Sequence, residues 1–464
     1  MPELLFHGAA GEVTGSMHMI HVDGRWLALD CGLFQGHRRV AEEKNRRWPM
    51  PAKDIDAVVL SHAHTDHAGR LPKLVRDGFT GAIYCTPATR DLCAYMLPDS
   101  AHIQEEDAHY TNKKRARKGE PPIEPLYGTE DAFRCLKLMR TIPNSQPFNP
   151  LPGATCTFNE AGHILGSAGV LVKFAKSGKL GDSLYFSGDV GRFNQPIIHD
   201  PAAFPQADTV ILESTYGGKR HADGETALKQ LFDVIDRTIR RGGKVVVPAF
   251  SVGRTQAIVY YMQEWFDAGR IPCIPVYVDS PLAIHATHVF RAHPELYDHQ
   301  ARNLQERTGE FLHNQCVEYI HDVADSKALN DRREPCVIIS ASGMCEAGRI
   351  RHHIKNNISN PNNTLLLPGY QGEGTLGRRL ADGASEIRIF EEDRKVRAEV
   401  VQLSGFSAHA DESELLRLMD PLRGRTKHVH LVHGEAEAQT KLLATLTQKS
   451  FKASIAKPGE RVAL

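Results

Sequence analysis

The chain has 464 residues, 56 basic against 56 acidic side chains and 41 % hydrophobic residues. That length points to two or three domains, and the balanced charge speaks against a protein that coats nucleic acid by bulk electrostatics. No run approaches the roughly 18 apolar residues of a membrane span. The start, "MPELLFHGAAGEV", carries no charged region followed by an apolar one, so no secretory signal is expected. Nine cysteines occur without a C-x-x-C pair. They read as reduced, buried thiols of a cytoplasmic enzyme, neither a disulfide framework nor a thiolate zinc site.

Along the chain, strand-like apolar runs alternate with helical patterns, which points to α/β architecture. Five runs end in a polar group beside glycine: "RWLALDCG" at Asp30, "DAVVLSHAH" at His62, "SLYFSGDVG" at Asp189, "DTVILESTYG" at Glu213 and "HVHLVHGE" at His433. Sites in open α/β sheets form just beyond the carboxyl ends of strands, so five such ends suggest one edge carrying the chemistry. The basic stretch "NKKRARKGEPP", 112–122, is a local patch able to grip a few phosphates, or a solvated helix end running into a proline loop.

Within "LSHAHTDHAG", the loop leaving the strand carries His62, His64, Asp66 and His67. A helix would spread these four around its circumference, whereas a loop turns several toward one point. Imidazole and carboxylate suit zinc. With further His and Asp at other strand ends, there are more ligands than one tetrahedral ion needs. Two ions sharing a carboxylate use the surplus, an arrangement suited to phosphoryl and acyl hydrolysis.

From about residue 208 the texture changes. "ETALKQLFDVIDRTIRRGG" sets Leu228, Leu231, Ile235 and Ile239 on one helical face and stops at Gly242-Gly243. "KVVVPAF", "TQAIVYYMQEWFDAG", "IPVYVD", "CVIISASG" and "TLLLPG" continue the alternation as an α/β domain inserted into another. The expected boundaries are 1–207, 208–400 and 401–464. In the insert, "PAFSVGRTQ" with Arg254 and "SASGMCEAGR" with Ser340, Ser342 and Gly343 are loops able to bind anions at helix starts. Ordinary turn and cap chemistry explains them equally well. His352 and His353 point about 100° apart on a helix and read as structural.

"HAHTDH", "GHILGSAG" and "SGDVG" resemble the metallo-β-lactamase fold, and "ESTYGG", "FSAHAD" and "LVHGE" resemble its β-CASP branch of nucleases. The resemblance covers essentially the whole chain and is strongest to bacterial relatives of the nuclease subunit of the cleavage and polyadenylation specificity factor. It implies a metallo-β-lactamase αββα sandwich with an inserted α/β (β-CASP) domain. Carried over by position, it implies that His62, His64 and His163 hold one zinc, that Asp66, His67 and His433 hold a second, and that Asp189 bridges both. Asp30 matches the motif that orients ligands. His409 matches the general acid, with Glu213 holding its imidazole and favouring its charged form. Asp411 fits the cap of the helix "DESELLRLM", and Ser407 is a candidate phosphate contact. Histidine at the last motif, here His433, marks RNA-processing members, where DNA-processing members usually carry valine.

The resulting expectation is a zinc-dependent ribonuclease of single-stranded RNA, a minimal catalytic core without the extra C-terminal domain of ribonuclease J or an N-terminal KH module. A small-molecule metallohydrolase acting on a lactone, thioester or simple phosphodiester is the alternative, though an insert of this size suits a polymer. A catalytically silent, nucleic-acid-binding relative fits worst, since every expected ligand is present. Internal against 5′-end cleavage, zinc against manganese, and monomer against homodimer all stay open.

Overall fold

The computed structural model describes residues 2–176, 179–221, 224–369, 371–372, 374–403 and 405–464. These form two compact units. The first comprises Met1–Gln195, His199–Arg220 and His409–Leu464; the second comprises Pro196–Ile198 and His221–Ala408.

Two seven-stranded sheets make the first unit. One runs edge to edge through Arg461–Ala463, Glu3–Gly8, Met17–Val22, Arg25–Leu29, Ala57–Val59, Ala82–Cys85 and Met139–Thr141. The other runs through Ala453–Ile455, His428–Val432, Thr209–Glu213, Lys179–Phe186, Ala168–Lys176, Ala154–Glu160 and Phe148–Leu151. Side chains alternate across each strand, so every second residue faces the partner sheet. Leu4, Phe6, Ile20, Leu27 and Val59 thus share one core with Phe158, Val170, Val172, Phe186 and Ile211. The intervening residues Leu171, Tyr185, Val210, Leu212 and Leu431 face outward. There they meet Leu415 and Leu418 of the helix Glu412–Met419, and Leu442 and Leu446 of Ala436–Gln448. The helices Leu71–Arg76, Pro87–Ala116 and Thr129–Leu138 pack together beside the first sheet. This is the αββα sandwich expected from the motifs.

All five runs that end in chemistry are strands. Arg25–Leu29 and Ala57–Val59 pair in parallel, as do Lys179–Phe186, Thr209–Glu213 and His428–Val432. Parallel pairing brings their carboxyl ends out on the same side of each sheet, which places Asp30, His62, Asp189, Glu213 and His433 together. The capping aspartate also stands where the sequence puts it: Asp411 accepts from the Glu414 backbone N–H while Glu414 reaches back to the Asp411 N–H.

The second unit has a six-stranded, all-parallel sheet in the order Val317–Tyr319, Val276–Val278, Val337–Ser340, Val245–Pro248, Thr364–Leu367 and Glu399–Gln402. Its central strands are buried throughout, as sheets covered on both faces must be. The helix Gly224–Arg240 buries Ala227, Leu231, Val234, Ile235 and Thr238, with Leu228 and Ile239 at the margins of that stripe. The unit boundaries fall later than 207/208 and 400/401. Thr209–Glu213 is an interior strand of the first unit's second sheet, and Glu399–Gln402 closes the sheet of the second unit. Among the described residues, no helix is long and apolar enough to cross a membrane.

One expectation is corrected. Seven cysteines are free and buried, but Cys273 and Cys316 form a disulfide, their Cα atoms 5.7 Å apart. The bond joins the segments that lead into the adjacent strands Val276–Val278 and Val317–Tyr319, the latter at the sheet edge. With 43 positions between its ends, chain-entropy arguments assign it about 4 kcal/mol of stability. Cys316→Ser is therefore expected to lower the urea midpoint of the oxidised protein, and reductant should lower the wild type equally. A wild-type midpoint indifferent to reductant would contradict this.

Candidate metal centre

Asp30 is the anchor under the site. It is fully buried, adopts φ +63° at the end of its strand, and accepts four hydrogen bonds. Its partners are the Ser61 N–H at 2.8 Å, the hydroxyls of Ser61 and Ser16 at 3.0 and 3.1 Å, and His67 Nδ1 at 2.7 Å. Gly32, two residues on, lets this loop lie against the "HAHTDH" loop: a Cβ there would meet the Asp66 carbonyl oxygen at 1.5 Å.

These bonds decide which imidazole nitrogens are bare. The Ser61 hydroxyl donates to Asp30, so at 3.0 Å it accepts from His62 Nδ1. The Thr215 hydroxyl donates to the His433 carbonyl and likewise accepts from His433 Nδ1 at 3.0 Å. In the neutral rings of His62, His67 and His433, Nε2 is thereby the nitrogen left unprotonated and directed inward.

Two groups of donors converge there. His62, His64, His163 and Asp189 lie with their ligand atoms within 4.8 Å of one another, as do Asp66, His67 and His433. Asp189 divides itself between them. Its Oδ2 stands 3.5 Å from both His62 Nε2 and His163 Nε2, and its Oδ1 stands 3.1 Å from His67 Nε2 and 3.5 Å from His433 Nε2.

The donor set fits cations. His62 Nε2 is buried and has no hydrogen-bond partner among the described residues. His67 Nε2 and His433 Nε2 face each other at 3.2 Å, and His163 Nε2 faces His64 Nδ1 at 3.2 Å. In the neutral rings the lone pairs of His67 and His433 face each other and repel unless positive charge lies between them. Burial keeps His62 well below the usual imidazole range and His64 near 4, so both are neutral ligands at neutral pH. At His67 burial is overcome by Asp189 and Asp30, which hold the ring cationic when no metal is bound. The carboxylates therefore demand positive charge at this point, which a metal ion satisfies.

Beside these clusters stands His409. It is held next to the Asp189 loop by the Ala410 N–H donating to the Val190 carbonyl at 2.8 Å. Gly191 allows the adjoining loop to close: a Cβ there would lie 1.7 Å from the Gly162 oxygen. His409 Nδ1 donates to Glu213, 3.2 and 3.3 Å from its two oxygens, and Nε2 lies 3.9 Å from Asp189 Oδ2. Glu213 is fully buried and fixed by the Val190 N–H at 2.6 Å and the Thr215 N–H at 3.3 Å. Burial opposes a charge on His409, but Glu213 and Asp189 outweigh it and raise its pKa to about 9.

The remaining candidates sit in the second unit. Ser342 Oγ accepts from the Glu346 and Ala347 N–H groups at 3.2 and 3.3 Å, which is turn chemistry. Gly343 lies against Phe250, a side chain 51 % exposed, and the Arg254 guanidinium is 5.6 Å from the Phe406 ring, next to Ser407. His353 Nε2 pairs with buried Asp279 at 2.6 Å while His352 stacks on Phe390, so both serve the fold. Ser16, Ser61 and Thr215 were not singled out from sequence. Their only signal there is adjacency: Ser61 precedes His62, and Thr215 follows Glu213 by two.

Three family models match in chain order: metallo-beta-lactamase superfamily over residues 10–142, Beta-Casp domain over 255–380, and Zn-dependent metallo-hydrolase RNA specificity domain over 393–456. The chain is 36 % identical to ribonuclease TTHA0252 of Thermus thermophilus, over 98 % of each chain. The chain belongs to the β-CASP branch of the metallo-β-lactamase superfamily. This β-CASP protein is a metal-dependent hydrolase by that membership. It is also 32 % identical to the transcription termination factor FttA of Methanosarcina mazei, over 95 % of this chain and 68 % of that one. A crystal structure of an Enterococcus faecalis V583 protein of unknown function shares the fold over 100 % of both chains, with a TM-score of 0.54 at 12 % identity.

Proposed function

We propose that this β-CASP enzyme hydrolyses phosphodiester bonds of single-stranded RNA with two zinc ions per chain. His62, His64 and His163 would hold one ion and Asp66, His67 and His433 the other, with Asp189 shared between the two sets. The observation that carries this reading is the division of the Asp189 carboxylate between two imidazole sets, with His409 Nε2 at 3.9 Å from one of its oxygens. Bound zinc supplies Lewis acidity toward phosphoryl oxygens and water ionisable near neutral pH.

The chain's own residues do the rest. Asp66 and Asp189 balance the charge of the cations. His409 donates the proton on Nε2 to the departing ribose 3′ oxygen, and Glu213 holds Nδ1–H so that Nε2 faces the reacting centre. RNA as substrate is supported by the matched RNA specificity domain, by the ribonuclease name of a relative aligned over nearly its full length, and by histidine at position 433. Arg254, Ser342, Gly343 and Ser407 are assigned to the phosphate backbone, with exposed Phe250 between the two loops as a surface for base stacking.

The test uses zinc-loaded protein, internally labelled single-stranded RNA and the matched DNA. RNA alone should be cut, the activity should vanish on chelation and return with zinc, and the fragments should separate internal from end-directed attack. Intact RNA in the presence of protein carrying two zincs would turn the assignment to a small phosphodiester. A finer expectation concerns Thr215. Thr215→Val removes the acceptor of His433 Nδ1–H and should weaken zinc retention about 10- to 100-fold in chelator competition. Unchanged retention would mean that the hydroxyl does not orient the ring.

A further inference from the structure

The helix Pro87–Ala116 buries Leu97, Ala101 and Ala108 against its own unit and turns the opposite face to solvent. On that face Tyr110 is 60 % and Ile103 50 % exposed. Glu106, Asp107, Lys113 and Lys114 surround them, all exposed and, among the described residues, none in an ion pair. Lys114 lies over the Tyr110 ring at 4.4 Å, keeping its ammonium on the same face.

The charges are out of step with the usual pattern. Opposite charges that support a helix stand three or four residues apart. Here each acidic residue is followed by its opposite seven residues later, about 10.5 Å along the axis and out of reach. At about 100° per residue, Glu106 and Lys113 lie on one flank of Tyr110, and Asp107 and Lys114 on the other. On each flank the acid precedes Tyr110 by about as much as the base follows it, roughly 4.5 to 6 Å. Such a face complements itself when turned end for end. Across a two-fold axis at Tyr110, Glu106 of one copy meets Lys113 of the second, Asp107 meets Lys114, and Tyr110 meets Tyr110.

We propose that this face is a docking surface for a second copy of the chain, forming an antiparallel, isologous dimer through helix Pro87–Ala116. Tyr110 supplies the apolar centre, Ile103 lies about 10.5 Å from it along the helix at each end of the contact, and four ion pairs per dimer set orientation and register. The contact is modest in area and rich in exposed charge, so it strengthens as salt is lowered: screening acts over about 10 Å at 0.1 M and about 3 Å at 1 M ionic strength. The proposal is independent of the reaction assigned to the metal centre.

Sedimentation velocity of the full chain tests it. Wild type should approach twice its chain mass of 51.5 kDa at low salt and return to monomer near 1 M. Two double variants change only exposed helix positions: Glu106→Lys with Asp107→Lys, and Lys113→Glu with Lys114→Glu. Each alone should weaken association at least about tenfold, since all four pairs become like-charged. Mixed together, they should restore a dimer of one copy of each. Circular dichroism melting shows that each variant is folded. A wild type that stays monomeric at low salt, a dimer that survives either reversal, or two variants that fail to associate on mixing overturns the proposal. Loss of RNA affinity in the Lys113→Glu, Lys114→Glu protein without any change in mass would also overturn it, assigning the patch to nucleic acid.

Discussion

Exchanging Asp189 for alanine should lower RNA cleavage by on the order of 10³-fold or more and reduce the bound zinc below two per chain. The carboxylate is buried and lies 3.1 to 3.5 Å from four imidazole nitrogens, Oδ2 facing His62 and His163 and Oδ1 facing His67 and His433. Neither nearby carboxylate is free to replace it: Asp30 is engaged by two serines and His67, and Glu213 by His409 and two backbone N–H groups. Removing it leaves three imidazoles on one side and two imidazoles with Asp66 on the other, with less negative charge to hold divalent cations. Elemental analysis and turnover on labelled RNA check both halves. A variant that retained two zincs and cleaved within tenfold of wild type would mean that the two imidazole sets do not work as one site.

His409→Ala should instead separate catalysis from metal binding. Its Nε2 lies 3.9 Å from Asp189 and its Nδ1 donates to Glu213, so its loss removes a proton donor and leaves the other donors in place. Turnover should fall about 10²- to 10⁴-fold, the range general acids contribute, at unchanged zinc content. RNA with a sulfur-bridged 3′ leaving group needs no such proton, so the variant should cut it nearly as well as wild type does. An equal loss on both substrates would show that His409 acts on something other than the leaving group.

The legible part of this molecule was its strand ends. Parallel strands leave a sheet in one direction, so five apolar runs each ending in a polar residue beside glycine carried both the fold class and the meeting point of Asp30, His62, Asp189, Glu213 and His433. The unit boundaries were harder, for two different reasons. Thr209–Glu213 belongs to the first unit although the change of texture begins there, and "EVVQ" is only half-buried at its sheet edge, so its pattern does not mark a strand. The Cys273–Cys316 bond was invisible because pairing depends on a 5.7 Å approach that only the folded sheet creates. The hydroxyls of Ser61 and Thr215 were invisible for a similar reason: what they do depends on a rotamer and a neighbour from another segment.

The two halves of the metal centre are far apart in time as well as in sequence. His67 and His433 face each other across 366 positions of chain, and the strand His428–Val432 takes its place only by inserting beside Thr209–Glu213. Synthesis at about 5–20 residues per second puts on the order of 10–40 s between the emergence of Arg220 and that of His433. Until residue 409 emerges the growing chain carries His62, His64, Asp66, His67, His163 and Asp189 but neither His409 nor His433, and from there to residue 433 it still lacks His433. The order of its strands thus keeps the centre unarmed until the strand His428–Val432 and His433 have emerged.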